Sequence, residues 1–93
     1  MPNSMDARQL VAWNLRRLRV ARGISQDDLA LTAEIERAYV GHLERGSRNP
    51  TVLSLEKLSS ALEVHISELF KEPPPGEPPV APLRAGRKKA AIR

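Results

Sequence analysis

The chain has 93 residues, no cysteine, one Trp, one Tyr, one Phe and a formal charge of +4. Without thiols it builds neither a disulfide framework nor a thiolate metal site, and its short apolar runs fall far below the roughly 18 residues needed to cross a bilayer. The charge is unevenly placed: residues 1–70 carry nine Lys or Arg against nine Asp or Glu and residues 71–93 six against two, so the folding part is neutral and basicity alone assigns it no partner.

Residues 1–9 read as a flexible lead-in. From 10 to 22, Val11, Leu15 and Leu18 recur at spacings of four and three, the stripe of an amphipathic helix, and Gly23 ends it. Ser25 stands three residues before Asp28, a capping signal for a second helix opening at Gln26, with Leu29 and Ala30 facing inward. A turn is expected over 32–35. A third helix is expected over 36–45, with Val40 and Leu43 inward and Gly46 closing it. Ser47, Arg48, Asn49 and Pro50 form a loop, and Thr51 caps a fourth helix whose stripe is Val52, Leu55, Leu58 and Leu62. Ile66, Leu69 and Phe70 suit a short fifth helix.

From residue 71 the composition breaks. Pro73 to Pro75, Pro78 and Pro79 favour extended chain, and Arg87, Lys88 and Lys89 lie in a basic stretch with few apolar residues, so 71–93 is expected to be a disordered tail. The reading is all-α: one five-helix domain over 10–70, with no strand pattern and no internal repeat. A folding part of about 65 residues is small enough that sharing a core with a second copy is expected.

A capped helix, a tight turn and a second helix over about 26–45 form the pattern of a helix-turn-helix, whose second helix fits a groove about 12 Å wide. The residues are more specific than the pattern. Leu18-Arg19, Gly23-Ile24-Ser25-Gln26, Asp28-Leu29-Ala30, Tyr39-Val40, Leu43-Glu44-Arg45-Gly46-Ser47-Arg48-Asn49-Pro50, Ala61-Leu62 and Glu68-Leu69-Phe70 follow one another in order. In these the chain resembles the lambda-repressor-like family of helix-turn-helix transcriptional regulators, also called the XRE family.

The resemblance implies roles that chemistry supports. Arg37, Ala38 and His42 match the family's base-reading positions: arginine suits the O6 and N7 acceptors of guanine, alanine a thymine methyl, and histidine donates or accepts. Gln26, Tyr39, Arg45, Arg48 and Asn49 match phosphate contacts, which fix docking without reading sequence; Tyr39 has the alternative of packing on the core. Arg19 and Glu44 match a structural ion pair between the first and third helices. Ile66, Leu69 and Phe70, with the exposed edge of the fourth helix, are the candidate dimer surface by the same analogy.

Four positions depart from the family. Glycine is usual where Glu34 and Glu63 stand, and serine or threonine where Glu36 and His65 stand, so reshaped turns and lost caps are expected. Trp13 lies beside the core stripe and either covers a core edge or meets a partner. Arg16 and Arg17 read as a solvated helix face. His42 and His65, on separate elements, make no metal site, and neither a phosphate-cradling loop nor a catalytic triad appears. No enzyme activity and no cofactor are expected.

The expected function is a sequence-specific regulator that binds duplex DNA as a homodimer on a palindromic operator. The rivals are an antitoxin, or a protein-interaction module of the same fold, whose tail holds a protein partner. The start Met1-Pro2-Asn3 lacks an export or lipidation pattern, so a cytoplasmic, nucleoid-associated protein is expected.

Overall fold

The structure is a computed structural model that describes residues 5–76. It holds four α-helices, α1 (Ala7–Ala21), α2 (Gln26–Ala33), α3 (Arg37–Glu44) and α4 (Val52–Leu62), closed by a 3₁₀ turn over Ile66–Phe70. Among the described residues there is no strand, and no helix is long and apolar enough to cross a membrane.

α1 begins three residues before the expected start. The Asp6 carboxylate accepts from the Gln9 backbone N–H at 3.0 Å while Gln9 Oε1 accepts from the Asp6 N–H at 2.9 Å, a complete capping box. The Gln9 amide holds the Asp6 carboxyl below its ordinary value. The expected flexible lead-in is thus corrected from residue 6 onward, and residues 1–4 lie outside the described residues. Ser25 Oγ accepts from the Asp28 N–H at 2.9 Å, and Thr51 forms a capping box with Ser54.

Leu15, Leu29, Val40, Leu43, Leu58, Leu62 and Leu69 are fully or almost fully buried in one core. The apolar stripes that alternate by three and four therefore converge. Two expectations change here. Val52 is 77% exposed, so the α4 stripe starts at Leu55, and the closing element is a 3₁₀ turn, not a fifth α-helix.

Leu69 is the inward residue of that turn and is completely buried. It belongs to the core and presents no surface to a partner, which corrects its place among the dimer candidates. Ile66 is half-buried and Phe70 is exposed.

The turn is secured by Asn14, a fully buried residue of α1. Its Nδ2 donates to Leu10 O at 3.0 Å, Leu69 O at 3.1 Å and Lys71 O at 2.8 Å, while its Oδ1 accepts from Arg17 Nε at 3.1 Å. Both polar ends of a buried amide are satisfied, as burial demands. Lys71, expected to begin the tail, is therefore tied to α1. Residues 72–76 carry no helix or strand, and the rest of the expected tail, 77–93, lies outside the described residues.

α2 and α4 end alike. Glu34 and Glu63 adopt the left-handed conformation at φ 61° and 60°. Behind them Ile35 N bonds Ala30 O and Val64 N bonds Ser59 O, both at 3.0 Å. These six-to-one bonds are those of the glycine-ended helix, so the turns keep the family shape with a glutamate in a glycine's place. A left-handed non-glycine residue costs about 1–2 kcal/mol, part of which a glycine gives back through its freer unfolded chain. Glu34→Gly is expected to raise unfolding stability by about 0.5–1 kcal/mol in reversible urea denaturation. No gain would show that this turn stores no strain.

Candidate nucleic-acid interface

α2 and α3 pack on each other across the turn at Glu34 and Ile35, and α3 also lies against α1. What orients α3 is electrostatic as well as apolar. Arg19 on α1 donates to both oxygens of Glu44 at the end of α3, from Nε at 2.5 Å and from Nη2 at 3.0 Å, with side chains 5% and 0% exposed. Arg19 Nη1 also donates to Ile24 O at 2.9 Å, which pins the loop before α2. The expected structural pair is present, and it is fully bidentate.

The same carboxylate receives more. Gln26, the first residue of α2, donates from Nε2 to Glu44 Oε1 at 2.8 Å. Arg16 Nε lies 3.6 Å from that oxygen, beyond hydrogen-bond distance and without another partner. Two guanidiniums and an amide thus converge on one carboxylate and leave an excess positive charge beside the α2 start. Gln26, expected as a phosphate contact, spends one of its two amide N–H donors inside the protein.

The three expected base readers lie on α3. Ala38 and Arg37 are exposed and His42 is half-buried. Arg37 Nε donates to Asp27 Oδ1 on α2 at 2.6 Å, an exposed pair that leaves its terminal amino groups to other partners. Arg45 Nη2 and Ser47 Oγ each lie 3.2 Å from His42 Nδ1, and Ser47 Oγ donates to His42 O, so the ring is held by two neighbours and keeps Nε2 for a ligand in either direction.

Tyr39 is half-buried against the core, and its hydroxyl lies 3.2 Å from Ser54 Oγ on α4. The packing alternative for Tyr39 is thus realised. Its ring still reaches the surface, where Glu36, Ala38, Tyr39, His42 and Arg48 line a shallow depression of about 190 Å³. Asn49 and Arg48 are exposed in the loop behind it. Glu36, the α3 N-cap, makes no side-chain capping bond, whereas His65 caps the closing turn by accepting from the Ser67 N–H at 3.1 Å. One of the two expected cap losses is therefore real.

The ion-pair pattern divides the surface. Arg8, Arg16, Arg17, Arg19, Arg22, Arg37 and Lys71 each lie within 4 Å of a carboxylate. Among the described residues Arg45, Arg48 and Lys57 do not, and the first two flank α3. Arg17, expected on a solvated face, is instead held by Asn14 and Glu68 and covers Trp13, its guanidinium 5.4 Å from the ring centre. Trp13 is half-buried beneath that guanidinium. Among the described residues no group of three metal-binding side chains occurs.

A short capped helix, a left-handed turn and a second helix with an outward polar face define a helix-turn-helix. The comparisons agree. A family profile described as helix-turn-helix matches residues 15–69, and the chain belongs to that family, the XRE-like regulators. An uncharacterized HTH-type transcriptional regulator of Sinorhizobium fredii is 43% identical over 65 residues, covering 70% of this chain and 84% of the relative. The restriction-modification controller protein C.AhdI of Aeromonas hydrophila superposes with a TM-score of 0.64 at 43% identity, covering 66% of this chain and 92% of that one. The hypothetical transcription factor NHTF from Neisseria superposes at 0.72 with 36% identity, covering 78% and 84%.

Glu44→Ala strands the buried Arg19 charge, and a loss of about 3–5 kcal/mol is expected in chemical denaturation. Joint replacement by Arg19→Met and Glu44→Leu is expected to recover most of it. Equal losses in the single and joint variants would show that packing, not the unpaired charge, sets the cost.

Proposed function

We propose that this chain is a transcriptional regulator that lays α3 in the major groove of duplex DNA and reads a specific operator with Arg37, Ala38 and His42. The observation that carries the reading is the distribution of satisfied and unsatisfied cations. Within a neutral domain, each arginine of α1 lies within 4 Å of a carboxylate, Arg16 and Arg19 sharing that of Glu44, whereas Arg45 and Arg48 beside α3 lie near none. Phosphates supply the missing anions. The readers lie on α3 ahead of these arginines, with Arg37 and Ala38 exposed and His42 half-buried.

Arg45, Arg48 and Asn49 are the docking contacts in this reading. Tyr39 lines the depression beside Arg48, and Gln26 acts by holding Glu44 while its exposed edge meets the backbone. A helix as short as α3 spans few base pairs, so the operator is twofold and the protein a homodimer, with half-sites about one helical turn, ~34 Å, apart. Phe70, 44% exposed, with half-buried Ile66 and the exposed start of α4, is the surface for that pairing. DNA as ligand places the protein on the nucleoid in the cytoplasm.

Selection of bound duplexes from a random pool is expected to return one motif with twofold symmetry. Arg37→Ala is expected to weaken binding to that motif by about 5- to 100-fold and to relax one base position in each half. Arg48→Ala is expected to weaken all duplexes alike and to flatten the logarithmic salt dependence by about one unit. A pool without enrichment, or an Arg37→Ala profile identical to the native one, refutes the assignment.

A further inference from the structure

Gly41 sits in the middle of α3 with ordinary helical backbone, where no turn requires a glycine. A glycine there weakens the helix relative to alanine, so its presence calls for a local reason. A Cβ built on Gly41 would lie 3.2 Å from Nη1 of Arg37 and 3.2 Å from Nη1 of Arg45, with Arg45 Nη2 at 3.8 Å. Residues 37, 41 and 45 are successive positions of one helix face. The two guanidiniums lie over the bare glycine from either side, and Gly41 is buried beneath them.

We infer that Gly41 is a positioning residue of the DNA-reading helix: its missing side chain lets Arg37 and Arg45 lie close along α3 as a paired guanidinium clamp. Asp27 fixes the Nε of Arg37 and Arg45 Nη2 lies 3.2 Å from His42 Nδ1, so each arginine has a neighbour at one edge and keeps further donors for a ligand. Two guanidiniums at one place, with a single carboxylate beside Arg37 and none beside Arg45, suit acceptor-rich groups. Arg37 is directed to the O6 and N7 edge of a guanine, and Arg45 to the neighbouring phosphate. The inference rests on the DNA reading above and adds the residue that sets the geometry of its arginines.

The atoms a methyl group would meet are the far ends of flexible side chains, so the chain accommodates Gly41→Ala by moving the arginines and not the backbone. In the full chain that variant is expected to raise the melting temperature by about 4 °C or more. Its affinity for the duplex the native chain selects is expected to fall about tenfold, with relaxed preference at the same base position that Arg37→Ala relaxes. In a chain already carrying Arg37→Ala and Arg45→Ala, adding Gly41→Ala is expected to change binding less than twofold.

Native affinity and preference in Gly41→Ala overturn the inference alone. So does a loss that persists in full without the two arginines, since the glycine would then serve close approach of the backbone to DNA. A lowered melting temperature overturns it too, because the added carbon would be meeting something that cannot move. If the native chain selects no duplex, the DNA reading fails and this inference falls with it.

Discussion

The Glu44 carboxylate is the point on which the arrangement of the reading surface depends. Leu43 and Val40 bury α3 in the core, but apolar burial is non-directional and leaves the helix free to roll. A bidentate guanidinium from α1 and an amide from the first residue of α2 are directional. One carboxylate therefore fixes three elements at once: the end of α3, the start of α2 and the loop that Arg19 pins at Ile24. A buried pair of this kind adds little net stability over an apolar replacement. Its contribution is to the orientation of a surface that must match a groove.

Much of this could be read in the sequence because it is local. Ser25 before Asp28 and Thr51 before Val52 carry their caps within one turn, and the stripes of α1 and α4 need no knowledge of what covers them. The errors arise where distance in space and distance along the chain part company. Val52 fits the α4 stripe by spacing, yet it lies at a helix end beyond the core and is exposed. Leu69 suits an element that closes the core and is also named for the dimer surface by family analogy, and the 3₁₀ turn decides between them because Leu69 fills its inward side. Asn14 gives no sign of its role, since a polar residue beside an apolar stripe is ordinary and its acceptors at Leu69 and Lys71 lie at the far end of the domain. The Asp6 cap lies ahead of the apolar pattern that starts at Leu10, and that pattern sets the expected helix start three residues late.

The site shows the same division. Family likeness names Arg37, His42 and Arg45 because their types and spacing are in the sequence. It does not show that Asp27 holds Arg37 or that Arg45 bonds His42, because those contacts need side-chain geometry. Glu34 and Glu63 are a different lesson. Their departure from glycine is plain in the sequence, but the turn shape survives it, since the hydrogen bonds behind each residue outweigh a modest torsional cost. Glu36 differs again: its cap is lost, and among the described residues it lines the depression with no ion-pair partner.

That unpaired acid, in a domain whose charges cancel, sets how the folded part treats DNA that is not its operator. A duplex of arbitrary sequence offers phosphates and little else, and here it meets few free guanidiniums and one carboxylate that repels it. On the proposed DNA reading, the folded part alone therefore contributes little attraction for arbitrary sequence, and discrimination rests on a low background from this domain as much as on the contacts of α3.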